Sequence, residues 1–255
     1  MTALIEVDQL SLRFGGLEAL SGISLQIPDR SLFAIIGPNG AGKTSFFNCL
    51  TGYYRPSGGS VRLDGRDITR MAVPEVAALG VRRTFQNVRL FPRLSALENV
   101  LAGAHLRSPA SLVPILVGTR RVRERERALA EEARHWLGYV GLSSRAGALA
   151  ADLPYGMRKR LEVARALIGQ PRALLLDEPA AGVSSVERDE LADVIRRTWR
   201  SGVTVVMIEH DVELVMQLAG AVAVLDRGRL LTVGDPGTVR NDPRVVEAYM
   251  GRRQR

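Results

Sequence analysis

One segment constrains the fold of this 255-residue chain more than any other. The sequence Gly37-Pro-Asn-Gly-Ala-Gly-Lys43-Thr44 fits the pattern G-x-x-x-x-G-K-[ST]. It follows a continuous apolar run, Leu32–Ile36, which indicates a strand buried on both faces. It overlaps the start of Ala41–Thr51, which predicts a helix. A glycine-rich turn between a buried strand and a helix is the context in which this pattern marks a phosphate-binding loop.

The residue types of this loop have separate chemical roles. Glycines let the backbone approach a phosphate chain closely, and the N–H groups at the helix N-terminus attract anions. Lys43 can reach the β- and γ-phosphates, and Thr44 offers a hydroxyl to Mg²⁺. Only Lys43 and Lys159 are lysines among the 35 basic residues. A compact ammonium suits the loop position, whereas Lys159 is expected on the polar side of a helix, where arginine would serve as well.

Polar residues follow two further apolar runs. Ala173–Leu176 predicts a strand, and Asp177 and Glu178 come directly after it. Because open α/β sheets bind ligands at the carboxyl ends of their strands, we expect Asp177 to hold Mg²⁺. Glu178 is then the candidate general base for an attacking water. His210 follows the run Val203–Ile208 and is expected beside the same sheet edge.

The rest of the chain alternates between strand and helix patterns. The first third is β-rich, with short runs at Ile5–Leu12 and Ile23–Ile27. The last third alternates strands and helices and closes on a hairpin signal at Asp226–Arg229. This alternation predicts a parallel sheet with crossover helices. Residues from about 95 to about 170 are interpreted as helical, and the alternating charges at the start of Arg120–Val140 indicate a solvated helix face.

Composition excludes several classes of protein. A hydrophobic share of 46% and a charged share of 24% exclude a disordered or fibrous chain. The one cysteine, Cys49, excludes a disulfide framework. The start has no signal-peptide pattern and no run approaches the ~18 apolar residues of a spanning helix, so we expect a protein of cytoplasmic character. The net charge of +8 suggests an acidic partner, with solubility as the simpler explanation.

The motifs stand in the same order as in the ATP-binding subunits of ABC transporters, which the chain resembles over essentially its whole length. Phe14 matches the aromatic that stacks on adenine in that family, and Gln86 in Arg83-Thr-Phe-Gln-Asn matches its coupling glutamine. The segment Leu153-Pro-Tyr-Gly-Met157 matches the signature Leu-Ser-Gly-Gly-Gln. The resemblance implies an α/β fold, a P-loop NTPase lobe of ABC type with an N-terminal antiparallel β subdomain and an inserted α-helical subdomain.

The resemblance also implies how the chain is divided and what it binds. We expect a single ABC ATPase domain, with the catalytic lobe in residues 1–90 and 165–255 and the helical insert in about 91–164. ATP and Mg²⁺ are the expected cofactors. The implied catalytic residues are Lys43, Gln86, Glu178 and His210, the last in contact with the γ-phosphate. The implied metal ligands are Thr44, Gln86 and Asp177. The implied nucleotide-binding residues are Phe14, Gly37, Pro38, Asn39, Gly40, Ala41, Gly42, Lys43, Thr44, Ser45, Leu153, Pro154, Tyr155 and Gly156.

Partners and location follow from the same resemblance. A second ATP-binding subunit, identical or different, is expected to place its signature segment on the ATP held by this chain. Two membrane permease subunits are expected to hold the protein at the cytoplasmic face of the membrane. A periplasmic solute-binding protein takes part indirectly, and no nucleic acid is expected. As a hypothesis, Arg89, Leu90, Phe91 and Arg93 help to form the groove that receives a permease helix; the alternative is that Phe91 belongs to the core.

Three positions depart from the family pattern. Pro154 stands for the signature serine, Met157 for its closing glutamine, and Ser184 for the aspartate that many relatives carry after the acid pair. These departures put communication between the two ATP sites in doubt. The segments Arg13-Phe-Gly-Gly, Glu178-Pro-Ala-Ala-Gly and Ile208-Glu-His-Asp nevertheless look like the LivG-type ATPases of high-affinity branched-chain amino acid importers.

Other functions remain open from the sequence. An ABC ATPase acting on nucleic acid or ribosomes would fit the positive charge, and a lipopolysaccharide-export ATPase would fit the size. A non-enzymatic binding module is disfavoured by the intact acid pair and His210. The transported solute is not readable from this chain.

Overall fold

The computed structural model describes residues 2–104 and 120–250. These residues divide into two compact units. Unit one takes its residues from Met1–Arg83, Arg172–Ala180 and Ile195–Arg255, and unit two from Thr84–Pro171 and Ala181–Val194. The expected helical insert of about 91–164 therefore falls inside unit two.

The described residues contain ten strands and nine α-helices. The strands are β1 (Ala3–Phe14), β2 (Leu17–Pro28), β3 (Leu32–Ile36), β4 (Gly58–Leu63), β5 (Arg66–Asp67), β6 (Val81–Arg83), β7 (Ala173–Asp177), β8 (Thr204–Ile208), β9 (Ala221–Asp226) and β10 (Arg229–Gly234). The helices are α1 (Lys43–Leu50), α2 (Val73–Ala78), α3 (Ala96–Gly103), α4 (Arg120–Tyr139), α5 (Tyr155–Leu167), α6 (Ser185–Arg200), α7 (Val212–Leu218), α8 (Pro236–Asn241) and α9 (Pro243–Met250).

Unit one contains two sheets. The first is antiparallel and has the order β2-β1-β4-β5. The second has the order β10-β9-β3-β8-β7-β6, in which β6, β7, β8, β3 and β9 are mutually parallel and β10 pairs antiparallel with β9. The predicted parallel sheet and the hairpin at Asp226–Arg229 are thus confirmed. Apolar side chains of both sheets and of α1, among them Leu10, Phe46 and Ile35, form one buried core.

Three neighbouring strands of the second sheet are buried along their whole length. Every residue of β3, β7 and β8 is buried, as expected for parallel strands covered on both faces. Ile35 and Asp177 both pair with Ile208, so the three strands end at the same level. The segments that follow them therefore emerge together at one edge of the sheet.

Unit two is helical. Helix α3 packs against both α4 and α5, and the apolar side chains of Val100, Leu137 and Leu161 are buried there. The exposed residues 123–128 confirm the solvated face of α4. The expectation of helix from about 95 to 170 is wrong for residues 140–154, which hold only the short 3₁₀ turns Ser143–Arg145 and Ala150–Asp152. Turn-forming residues such as Gly141 and Ser143 interrupt the helical pattern there. Residues 105–119 of the same prediction lie outside the described part of the chain.

Two short strands have no hydrophobic pattern from which they could be predicted. Strand β5 has two residues and strand β6 has three, which is too short for a clear periodicity. Within residues 2–104 and 120–250, none of the helices is both long and apolar enough to cross a membrane.

The buried thiol of α1 gives a first prediction. Cys49 is 1% exposed, and burial raises the pKa of its thiol to about 12. Because the thiolate is the reactive form, we expect no measurable alkylation of native protein by iodoacetamide at mildly alkaline pH. Mass spectrometry should show full alkylation only after unfolding in guanidinium chloride. Rapid alkylation of the native protein would contradict the packing of α1.

Candidate functional site

The phosphate-binding loop is held in place by backbone contacts in unit one. Gly42 is the N-cap of α1 and has a φ of 98°. A Cβ atom at this position would lie 2.8 Å from the carbonyl oxygen of Ala19 and 2.8 Å from Leu20 Cδ2, so only glycine fits. The N–H of Gly228 donates to the carbonyl of Ala41 at 3.0 Å. The loop is thus fixed against β2 and against the turn between β9 and β10.

Lys43 lies inside this loop. Its Nζ donates to the carbonyl oxygens of Gly37 at 2.7 Å and Pro38 at 3.2 Å. No side-chain hydrogen bond caps the first turn of α1. Such a turn presents backbone N–H groups to an anion, with the ammonium beside them. The neighbouring Thr44 is exposed and Ser45 is half-buried.

Asp177 ends β7 and forms a buried ion pair that is not predicted from the sequence. Arg83 Nη2 donates to Asp177 Oδ2 at 2.6 Å, and both side chains are buried. Arg83 Nη1 donates to Asn48 Oδ1 on α1 at 2.6 Å. Arg83 therefore ties the carboxylate of β7 to the helix that follows the phosphate loop. The feature of the sequence that could have pointed to Arg83 is its position shortly before Gln86, in the short strand β6.

The residues at this edge fit a magnesium ion. Asp177 Oδ1 is buried and has no hydrogen-bond partner within the described residues. A buried carboxylate oxygen without a donor is costly unless a cation neutralises it. Together with the hydroxyl of exposed Thr44, it provides the hard oxygen ligands that Mg²⁺ prefers. Across residues 2–104 and 120–250, no cluster of three or more His, Cys, Asp or Glu side chains could hold a metal, so phosphate oxygens and water would complete the coordination.

Glu178 and His210 are in contact at the same edge. His210 Nε2 hydrogen-bonds to Glu178 Oε1, and the ring donates when the carboxylate is ionised. Glu178 has a φ of 48°, a conformation that costs free energy for a residue with a side chain. Its N–H donates to the carbonyl of Ile208 at 2.9 Å. Strand β8 therefore holds the strained turn that carries the carboxylate.

A second buried carboxylate supports this turn. Glu209 is 2% exposed, and it accepts hydrogen bonds from the N–H of Ala180 at 2.8 Å and of His210 at 3.0 Å. Burial raises the pKa of Glu209, and these backbone N–H groups oppose that shift. Glu209 thus bridges the segments that carry Glu178 and His210. Glu209 is not among the site residues predicted from the sequence, although its place between an apolar strand and His210 is a usable signal.

Phe14 ends β1 in unit one. Its side chain is 45% exposed, and its ring packs edge-on against Tyr54 at a centroid distance of 5.1 Å. The ring is thus braced on one side and accessible to solvent. This is compatible with the stacking role that the resemblance implies.

The other predicted site residues lie in unit two. Gln86 is exposed, and its carbonyl oxygen accepts a hydrogen bond from Lys159 Nζ at 2.7 Å. Lys159 is 4% exposed, so the expectation that it lies on a polar helix face is wrong. Its ammonium is withdrawn from solvent and contacts the backbone of the loop that carries Gln86.

The signature segment begins α5. Pro154 is the N-cap and makes no side-chain cap, Tyr155 and Gly156 form the first turn, and Leu153 is buried just before it. A Cβ on Gly156 would lie 2.2 Å from Glu187 Oε1, so no larger residue fits without movement. Ser184 caps α6, since its hydroxyl oxygen accepts the N–H of Glu187 at 3.4 Å, and the N–H of Ser184 donates in return to Glu187 Oε2 at 3.1 Å. Serine and aspartate are both good N-caps, which gives this departure a structural reason.

The structure therefore brings one group of predicted residues together. This group lies in unit one, at the carboxyl ends of β3, β7 and β8. It consists of the loop Gly37–Thr44, which includes Asn39, and of Asp177, Glu178 and His210. Gln86 and the segment from Leu153 to Gly156 lie in unit two.

Comparison with known families agrees with this geometry. The family model described as ABC transporter matches residues 20–181. A second model, described as branched-chain amino acid ATP-binding cassette transporter, matches residues 229–254.

Curated relatives match nearly the whole chain. The high-affinity branched-chain amino acid transport ATP-binding protein BraF of Pseudomonas aeruginosa is 44% identical over 97% of this chain and 98% of its own. The corresponding protein LivG of Escherichia coli is 39% identical over the same shares. Among solved structures, an ATP-binding cassette of an ABC transporter in its ADP conformation is 28% identical, with a TM-score of 0.85 over 98% of this chain and 100% of that one. A nucleotide-free ATP-binding cassette gives a TM-score of 0.84 at 28% identity, with the same coverage.

The bridge made by Glu209 gives a second prediction. Glu209→Ala removes the acceptor of two backbone N–H groups, which frees the turn at Glu178. Because a displacement of about 1 Å in a catalytic group can cost about 10²-fold, we expect kcat for ATP hydrolysis to fall by about 10- to 100-fold while the Kd for ATP is retained. Steady-state phosphate release and binding of a fluorescent ATP analogue measure the two quantities.

Glu209→Gln is the matched control for this prediction. It keeps one acceptor oxygen, so its kcat should lie between those of the wild-type protein and Glu209→Ala. Equal turnover in all three proteins would show that Glu209 does not hold the turn.

Proposed function

The chain belongs to the ATP-binding proteins of ABC transporters and is an ATPase, and from this premise we propose that it drives an importer of branched-chain or related hydrophobic amino acids. The observation that carries the proposal of ATP hydrolysis is the contact between His210 Nε2 and Glu178 Oε1. This contact lies at the edge of the sheet where β3, β7 and β8 end and where the phosphate-binding loop begins. The amino acid part is supported by the printed names of the relatives and of the second family model.

The chemistry follows from the positions of a few groups in unit one. We infer that Lys43 and the N–H groups at the start of α1 bind the β- and γ-phosphates of ATP, while Phe14 stacks on adenine. Glu178 accepts a proton from the attacking water, and His210 holds the carboxylate in place and contacts the γ-phosphate. Positioning and charge stabilisation supply most of the rate acceleration in phosphoryl transfer.

Thr44 and Asp177 are the proposed magnesium ligands of unit one. A Mg²⁺ ion held by these residues would supply positive charge against the negative charge that develops on the phosphate. The buried Asp177 Oδ1 supports the assignment, because it has no hydrogen-bond partner among the described residues. Gln86, in unit two, is proposed as the third ligand on the strength of the family resemblance.

The partners are proposed from the same family membership. A second ATP-binding subunit, identical or different, would place its own Leu153–Gly156 segment, or the equivalent, on the ATP bound here. Two permease subunits would hold the pair at the cytoplasmic face of the membrane, with a periplasmic solute-binding protein acting through them. The relatives named above are transport proteins, which favours this assembly over an ATPase that works on nucleic acid, on ribosomes or in lipopolysaccharide export.

Phe91 supports a contact with the permease. Its side chain is 52% exposed, so the alternative that it belongs to the core is wrong. Buried Asn99 fixes the Phe91 backbone, since its Oδ1 accepts from the Phe91 N–H at 2.8 Å and its Nδ2 donates to the Phe91 carbonyl at 3.0 Å. A rigid backbone with an exposed aromatic ring is typical of a binding anchor.

The base assignment is tested by Glu178→Gln. The amide cannot accept the proton of the attacking water, so turnover should fall by about 10²- to 10⁴-fold while ATP binding persists. Phosphate release and ATP binding measure this on purified protein. Glu247→Gln, an exposed glutamate of α9, serves as the control and should hydrolyse ATP like the wild-type protein. Full turnover in Glu178→Gln would refute the assignment.

The permease contact is tested by Phe91→Ala. Loss of a hot-spot aromatic should weaken assembly with the co-expressed permease subunits by roughly 30-fold, while ATP hydrolysis by the isolated subunit stays at the wild-type level. Val233→Ala is the control, because Val233 is exposed to a similar degree in unit one. Pull-down of the complex and solute-stimulated hydrolysis give the readouts. Unchanged assembly would contradict a role for Phe91.

A further inference from the structure

One face of helix α5 carries three charged side chains that are withdrawn from solvent. Lys159, Glu162 and Arg165 follow one another at intervals of three residues and so lie on neighbouring positions of the helix surface. Glu162 is 1% exposed and the side chain of Arg165 is 18% exposed. Charged groups are rarely buried unless they are paired and hydrogen-bonded. The partners of these three side chains therefore explain their placement.

The partners are backbone groups of the loop that carries Gln86. Lys159 Nζ donates to the carbonyl of Gln86 at 2.7 Å. Glu162 Oε1 accepts the N–H of Arg89 at 3.1 Å, and Arg165 Nη1 donates to the carbonyl of Arg89. Arg165 also pairs with Glu162 at 3.4 Å. One face of α5 thus holds the loop at two points, through the backbone of Gln86 and through the backbone of Arg89.

These contacts act on the backbone and leave the Gln86 side chain accessible. Gln86 is exposed, and its carbonyl also lies 3.5 Å from the hydroxyl of Tyr155, the first residue of α5. The helix that holds this loop is the same helix that begins with the signature segment. A displacement of α5 would therefore carry the Gln86 backbone with it.

We propose that Lys159, assisted by Glu162 and Arg165, is a positioning residue that fixes Gln86 to the signature helix, so that Gln86 and the segment Leu153–Gly156 move as one element. The proposal rests on the proposed function, in which Gln86 serves the ATP bound by this chain and the signature segment serves the ATP of the second subunit. Lys159 is assigned no contact with the nucleotide or with the attacking water. It acts through the position of the Gln86 backbone.

A double-mutant cycle tests this role. Lys159→Met removes the ammonium with little change in side-chain length, and Gln86→Ala removes the side chain that Lys159 is proposed to position. In the wild-type background we expect Lys159→Met to lower kcat for ATP hydrolysis by about tenfold with little change in KM. In the Gln86→Ala background the same substitution should lower kcat by less than about twofold. Losses that multiply in the double variant would overturn the proposal.

Two further variants separate positioning from general stability. Lys159→Arg keeps a donor for the Gln86 carbonyl and should recover most of the activity lost in Lys159→Met. Arg134→Met removes an exposed ion pair with Glu131 on helix α4 and is the matched control, with wild-type kcat and Tm expected. If Lys159→Met fails to fold, Arg165→Met takes its place in the cycle and should show the same non-additivity.

A readout without ATP makes the outcome independent of the proposed function. Hydrogen exchange followed by mass spectrometry should show loss of amide protection in the peptide that covers residues 85–90 of Lys159→Met, while protection along α5 is retained. Unchanged protection of residues 85–90 would refute the positioning role of Lys159 even if the protein hydrolyses ATP. Conversely, wild-type turnover in Glu178→Gln would refute the proposed function and leave the exchange result intact.

Discussion

The site depends on one constraint, the common level at which three buried parallel strands end. Strands β3, β7 and β8 have no exposed residue, and polar side chains occur only at their ends. The register sets Ile35 and Asp177 against Ile208, and the residues that follow all emerge at one edge. The phosphate loop, the acid pair and His210 are neighbours for this reason. A change of register would separate the loop from the carboxylates, since side chains one residue further along a strand point to the other face.

Buried charges then fix the side chains within this frame. Asp177 is held by Arg83, which also reaches α1 through Asn48, so the carboxylate and the phosphate-loop helix share one anchor. Glu209 is held by backbone N–H groups on both sides of the Glu178–His210 contact. In unit two, Lys159 and Glu162 satisfy backbone groups of the Gln86 loop. Separating such a buried pair leaves polar groups without hydrogen-bond partners. The free-energy cost of that separation keeps each arrangement in one conformation.

The sequence was sufficient for the features that depend on local pattern. The apolar run Leu32–Ile36 is the strand β3 with the same bounds, and the glycine-rich loop follows it as predicted. Asp177, Glu178 and His210 could be placed because strand ends are visible in the hydrophobic pattern. The position of Arg83 in a strand and of Glu209 beside one gave a usable signal, but the burial and the partners of these residues and of Lys159 could not be assigned, because the charge of a residue does not reveal whether a distant segment will cover it. Their roles come from pairings across as many as 94 residues of chain, such as that of Arg83 with Asp177, which only the fold determines.

The signature departures are best understood through the helix N-terminus. Pro154 occupies the N-cap of α5 and lacks a hydroxyl, so it makes no side-chain cap. The backbone of Gly156 in the first turn is instead hydrogen-bonded to the carboxylate of Glu187 on α6. Proline suits the entry to a helix because its fixed φ is compatible with the turn. The Glu187 carboxylate thus lies at the positive end of the α5 helix dipole, where an anion is favoured. Gly156 leaves room for the Glu187 side chain, and Ser184 caps α6 through its hydrogen bonds with the same residue. Pro154 therefore removes one hydroxyl contact, while the first turn of α5 keeps the backbone N–H groups that favour an anion.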